Sequence, residues 1–356
     1  MKNKEESNSR KFTMMTQMPV NKLICKMAVP TIVTMLVSAI YNMADTYFVG
    51  KIGTSATGAV GVVFSFMAII QACGFFFGHG SGNYMSRKLG EQNIKEASVM
   101  ASTGFFSSFA VGVIIGVLGI IFISPLSRLL GSTDTILPYT KQYLFYILCG
   151  TPFMMSSLVL NNQLRFQGSA VNGMIGVTAG GVLNILLDPI FIFVFKMGVE
   201  GAAIATVISQ ILTFVLNVCY IKKFKSIEIN KESFKLKQNV VRKVTTLGIS
   251  SFITQMSIVF VMAVENNLLG KYGSDSKFGS EIPITVLGIV MKISQILNSI
   301  IIGIAAGTQP IIGYNYGAEK YDRVKQTIKT VLGLSVIIST IAFILFQTIP
   351  DKLISI

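Results

Sequence analysis

The 356-residue chain has no tryptophan, a single histidine, four cysteines and only 13% charged residues, against 51% hydrophobic ones. So few polar side chains cannot cover a water-facing surface, which excludes an ordinary soluble domain and points to a membrane. Cys25, Cys73, Cys149 and Cys219 are scattered singly, without the close spacing of a metal or redox pair, so packing is their expected role. No nucleophile–base pair or metal-ligand cluster is present in the sequence, and the reading is therefore not an enzyme. The string Gly78-His-Gly-Ser-Gly82 lacks the Lys-Ser/Thr of a phosphate loop and reads as close packing near a helix end, with His79 inside it. The first twenty residues are polar and have no apolar core, so they form a tail and not a cleaved signal.

What the chain does have is long apolar runs. A span needs about 20 apolar residues to cross about 30 Å of hydrocarbon, and nine runs qualify: residues 23–49, 57–78, 98–123, 138–160, 170–195, 201–221, 244–270, 282–310 and 327–349. The formal charge of +14 raises the question of nucleic acid. Its distribution answers it, because with a cytoplasmic N-terminus about 20 Lys and Arg fall on inner segments and about six on outer ones. The expectation is an all-α integral membrane protein with nine transmembrane helices present, the lipid bilayer as partner and no nucleic acid.

The chain also repeats itself. Gly50-Lys-Ile-Gly53 closes the first run and Gly270-Lys-Tyr-Gly273 the seventh; Arg87-Lys-Leu-Gly90 follows the second and Tyr314-Asn-Tyr-Gly317 the eighth. The copies lie about 220 to 227 residues apart, and an even number of spans between them makes the halves parallel, as in transporters built from repeats. The organisation read from this is a cytoplasmic tail (1–21), an N-lobe of six helices (22–222), a basic linker (223–243) and a partial C-lobe of three helices (244–356). A parallel 6+6 architecture then predicts about 90 to 100 further residues beyond Ile356, the chain being C-terminally truncated.

Asp45, Asp188 and Glu265 stand inside apolar runs, whereas the other acids lie in polar segments. A carboxylate at the bilayer centre costs roughly 2.5–3.5 kcal/mol on insertion scales, so such groups are read as ion or proton sites facing a cavity. Lys292 is the basic residue near the middle of a span, and Glu265 on the neighbouring helix is its expected counter-ion. These features describe a transporter.

The strings Tyr41-Asn-Met-Ala-Asp45-Thr-Tyr-Phe-Val-Gly50, Leu89-Gly-Glu, Asn184-Ile-Leu-Leu-Asp188-Pro189 and Gly201-Ala-Ala-Ile-Ala-Thr206 together resemble the multidrug and toxic compound extrusion (MATE) family, in the bacterial branch of Gram-positive multidrug exporters. The resemblance implies an antiporter of two six-helix lobes in the bacterial inner membrane. It would act as a monomer without a cofactor, exporting cationic amphipathic drugs against inward H+ or Na+. It implies an N-lobe cation site at Tyr41, Asp45, Asn184, Asp188 and Thr206, with Asn161 as a sixth member. A lipid-linked saccharide flippase of the same superfamily, or an inactive fragment, is the alternative.

Depth agrees with such a site. Asp45, Asp188 and Thr206 each lie about five to seven residues from the outer end of their runs, roughly 7 to 11 Å below the surface at 1.5 Å per residue. Tyr41 and Asn184 each precede an acid by four residues and share its helix face. Pro189 frees the carbonyl of Ile185 beside Asp188. The two aspartates are expected to hold a proton between them or, when ionised, to bind sodium.

Overall fold

A computed structural model of the chain describes residues 2–224, Ile227, Ile229, Phe234, 238–274 and 281–348. Ten of the 21 residues of the basic linker expected at 223–243 therefore lie outside the described residues, and its last six, from Gln238, already belong to the next helix. Within a bilayer each backbone N–H and C=O must be satisfied inside its own segment, and apolar runs of this length answer with helices. They are α1 (Lys2–Gln17), α2 (Val20–Gly50), α3 (Thr54–Gly90), α4 (Ile94–Ile121), a short α5 (Ile123–Leu129), α6 (Leu137–Phe166), α7 (Ala170–Pro189), α8 (Gly198–Phe224), α9 (Gln238–Ser274), α10 (Glu281–Gly317) and α11 (Tyr321–Thr348), with a π-helical turn at Ile190–Val194 after α7. Nine of them are long and apolar enough to cross a membrane.

Two expectations need correction. The second run was read as 57–78, but α3 continues to Gly90, so His79 lies eleven residues inside the helix and not near its end. The extension is held because Met85 and Leu89 enter a core with Leu23, Met27, Ile311 and Tyr314. The polar tail likewise forms α1, whose last turn is buried at Met15 and Thr16. Its C-terminal carbonyls lack helical partners and are taken up by three donors from the second half of the chain. Asn315 Nδ2 donates to Met15 O at 2.9 Å, Lys320 Nζ to Thr16 O at 3.1 Å and Arg323 Nη2 to Met18 O at 2.6 Å.

The repeat is visible in the backbone. Both α3 and α10 have 37 residues and both α4 and α11 have 28, each pair offset by 227. The turns between them match bond for bond: Glu91 N to Arg87 O (3.0 Å) and Asn93 N to Lys88 O (2.8 Å) recur as Ala318 N to Tyr314 O (2.9 Å) and Lys320 N to Asn315 O (2.8 Å). Gln92 and Glu319 both take the left-handed conformation, at φ 59°.

The helices form two groups, α2–α8 and α9–α11, joined by α3 against α9 and by α2 against α10. Glycines set the approach. Gly90 lies against the Tyr314 carbonyl and Gly317 against that of Arg87, while Gly307 meets Ala28 and Gly248 meets Phe76. The Gly90 and Gly317 contacts are reciprocal, each glycine packing on the residue three before the other, as a two-fold axis between the halves requires. The side-chain contacts between the groups, among them His79 with Ser251 and Lys243 with Tyr84 and Glu96, cluster in the halves nearer α1.

Candidate functional site

The expected N-lobe residues sit on α2, α7 and α8, and glycines of α7 bring those helices together. A Cβ on Gly181 would lie 2.9 Å from Val37 Cγ1 and 3.3 Å from Tyr41 Cδ1, and one on Gly180 would lie 2.9 Å from the Ser209 carbonyl oxygen. Small residues at these crossings let backbones approach closely enough for side chains farther along to meet. One turn and two turns beyond Gly180 come Asn184 and Asp188, on the same face. Asn184 Nδ2 donates to Asp188 Oδ1 at 3.1 Å.

Asp188 is fully buried and Asn184 is 2% exposed. Asp45 lies within electrostatic reach of Asp188 and of Tyr41. Thr206, also buried, has the hydroxyl of Tyr143 on α6 as a close polar neighbour. Tyr41 has Gln210, one turn beyond Thr206 on α8, as a polar neighbour in the same cavity wall. The structure thus brings Tyr41, Asp45, Asn184, Asp188 and Thr206 into one cluster. Three oxygens there are buried without a partner among the described residues: Asp45 Oδ1, Asp188 Oδ2 and Asn184 Oδ1. A buried acceptor left bare costs roughly 1–3 kcal/mol, and carboxylate and amide oxygens are acceptors of the kind that suit a proton or a hard cation.

Sequence reasoning missed Tyr143 and Gln210. Tyr143 had a usable signal, since it lies six residues into α6 from the same end as Asp45, at the same depth as the acids. Pro189 terminates α7 directly after Asp188, and the chain continues as the π-helical turn, with Phe195 N donating to Ile190 O at 2.9 Å.

A cavity of about 110 Å³ runs inward from this cluster. Tyr41, Asn184 and Thr206 form one end of its wall, Asn161 and Arg165 the other, and the two carboxylates stand just outside the wall. Asn161 therefore shares the cavity with the cluster without touching the acids; its Nδ2 donates to Gly173 O at 2.9 Å. Glu265, on α9, is not part of the cluster. It is half-buried, with Oε2 lacking a protein partner among the described residues. The side chain of Lys292 lies outside the described residues, and with it the expected Glu265–Lys292 pair.

A family model for MatE matches residues 30–190 and 251–356. The chain belongs to the MatE family. Among MatE relatives, multidrug export protein MepA of Staphylococcus aureus (strain NCTC 8325 / PS 47) is 30% identical over 316 residues, covering 88% of this chain and 68% of that protein. MepA of Staphylococcus saprophyticus is 29% identical over 331 residues, covering 92% and 72%. A solved structure described as MATE in the straight conformation superposes with a TM-score of 0.86 at 26% identity, over 97% of this chain and 79% of that one. Another, an outward-facing conformation of a multidrug resistance MATE family transporter, gives 0.87 at 24% identity over 96% and 75%. The MatE fold of two parallel six-helix halves accounts for the repeat, and its members are multi-pass membrane transporters and not enzymes.

Proposed function

We propose that the chain is a secondary multidrug exporter of the bacterial cell membrane, moving cationic amphipathic compounds outward by alternating access, as a monomer, in exchange for inward H+ or Na+ at Asp45 and Asp188. The single observation that carries the coupling role is the trio of unpartnered oxygens, Asp45 Oδ1, Asp188 Oδ2 and Asn184 Oδ1, buried on two neighbouring helices. The MepA relatives support the substrate class. With the N-terminus cytoplasmic, the seam of contacts near α1 is the closed inner gate and the cluster lies toward the outer face.

An arriving proton is shared by the two carboxylates, held in place by Asn184; an arriving sodium ion is ringed by the same oxygens with the Thr206 and Tyr143 hydroxyls at hand. Either event removes the repulsion between the acids and lets α2, α7 and α8 tighten around the site. One monovalent cation entering for one leaving is electrically neutral, so the membrane potential, about 2.3 kcal/mol per charge per 100 mV, contributes only when a second ion enters. The test is dye efflux from vesicles under an imposed proton or sodium gradient. Asp45→Asn and Asp188→Asn are expected to abolish gradient-driven efflux at unchanged expression, and efflux equal to the parent would overturn the assignment.

A further inference from the structure

The far end of the same cavity carries the opposite charge. Arg165, in the last turn of α6, is 4% exposed. Its Nη2 donates to His79 Nε2 at 3.1 Å and to Asn162 Oδ1, while Nε has no protein partner. Because Nε2 of His79 accepts, the ring proton is on Nδ1, which donates to Ser251 Oγ at 2.9 Å. His79 is then neutral, stacked on Phe75 with centroids 5.1 Å apart and the planes 4° from parallel. Asn162 turns its carbonyl oxygen to the guanidinium, and one of its two amide protons goes to Leu158 O at 2.8 Å. Among the described residues the ion pairs engage Lys88, Arg128 and Lys243, and no carboxylate meets Arg165. A guanidinium is permanently charged and strongly disfavours burial without a counter-charge.

We propose that the Arg165 end of the cavity is a binding site for a compact monovalent anion, chloride being the physiological candidate. The guanidinium of Arg165, which lines the cavity, supplies the charge, and its buried Nε–H has no protein acceptor among the described residues. About 110 Å³ admits several waters, hence a halide with part of its hydration, and is below the roughly 300 Å³ at which drug-sized pockets begin. Arg165 also hydrogen-bonds the histidine that reaches Ser251 on α9, so the anion neutralises a charge held at the seam between the two helix groups. Function follows from position: with the guanidinium screened, a cation bound at the other end of the cavity meets less repulsion from within.

The test uses the detergent-purified full chain with bromide as probe. Replacing gluconate by bromide at constant sodium and ionic strength should raise the thermal midpoint in a saturable way, read by loss of the monodisperse peak in size-exclusion chromatography after heating. The shift should vanish in Arg165→Gln and persist in Asp188→Asn, which separates this site from the cation cluster. Crystals grown in bromide should show an anomalous peak within hydrogen-bonding distance of Arg165, a readout that does not depend on any variant folding. A non-saturating response, one retained by Arg165→Gln, or bromide crystals without that peak would overturn the proposal.

Discussion

Gly90 and Gly317 offer a direct way to force the seam open. A methyl group on Gly90 would sit 2.9 Å from the Tyr314 carbonyl carbon, and one on Gly317 would sit 2.9 Å from that of Arg87, with the carbonyl oxygens closer still. Real Cβ atoms essentially never approach within 3.0 Å, and backbone cannot rotate out of the way as a side chain can. Alanine at either position must push α3 and α10 apart. Overpacking of this kind costs about 1–3 kcal/mol, and the cost falls only on the state in which the seam is closed. At about 1.4 kcal/mol per tenfold, the open fraction rises roughly 5- to 150-fold, and about 2.7 kcal/mol takes a 99:1 equilibrium to parity. Val244, 4% exposed and packed on Gly80, reports the opening. In a background with the four native cysteines replaced, a membrane-permeant maleimide should label Val244→Cys at least fivefold faster when Gly90→Ala or Gly317→Ala is added. Gly61→Ala, where a methyl meets nothing within 4 Å, should leave the rate unchanged. Equal labelling in all four proteins, each monodisperse, would refute the reasoning.

Three further outcomes are expected. Thr206→Val and Tyr143→Phe remove two neighbouring hydroxyls beside the acids; each should weaken coupling-ion affinity by about five- to tenfold (about 1 kcal/mol), and the double variant should lose less than the sum of the two, as efflux titrated against ion concentration will show. Arg323→Gln removes a charged donor from Met18 O and should loosen α1 by about 1.5–3 kcal/mol, measured as faster chymotryptic cleavage at Phe12. Burial lowers the Lys11 ammonium to about 8 from 10.5, so between those values undocked α1 holds a proton that docked α1 has released; docking should strengthen as pH rises from about 8 to 10.5 and be flat below, by the same cleavage assay.

Much of this was legible in the sequence, for identifiable reasons. Long apolar runs have one solution in a bilayer, so the nine spans could be counted from composition, and their polar ends were misplaced only where tertiary packing extended a helix beyond its apolar window, as in α3 from His79 to Gly90. Tyr41, Asp45, Asn184, Asp188 and Thr206 were found because a polar group in an apolar run stands out and depth can be counted at 1.5 Å per residue. Tyr143 and Gln210 were not: Tyr143 shares the depth of the acids, but depth alone does not single out a tyrosine, and a glutamine in a span is unremarkable until a neighbour is known. Arg165 is one of about 20 Lys and Arg on the inner segments, and nothing in a linear reading says that this arginine is only 4% exposed. The folding of α1 had no apolar run to announce it, because it is held by donors about 300 residues away.

The repeat also shows which features a duplicated transporter must keep. Where the halves meet, each copy's glycine is the other copy's neighbour: Gly90 accommodates Tyr314 and Gly317 accommodates Arg87. Losing either glycine disturbs both halves, so helix lengths, turn hydrogen bonds and the left-handed Gln92 and Glu319 stay matched at an offset of 227. A buried side-chain site has no such reciprocity. Counting from the closing Gly50 and Gly270, Glu265 is the counterpart of Asp45, yet the counterpart of Tyr41 is Val261, half exposed on α9. The acid recurs without the hydroxyl one turn before it. Symmetry is thus imposed on the backbone at the seam and relaxed inside each lobe, which leaves the buried side chains of the two lobes free to differ while both lobes still close on one another.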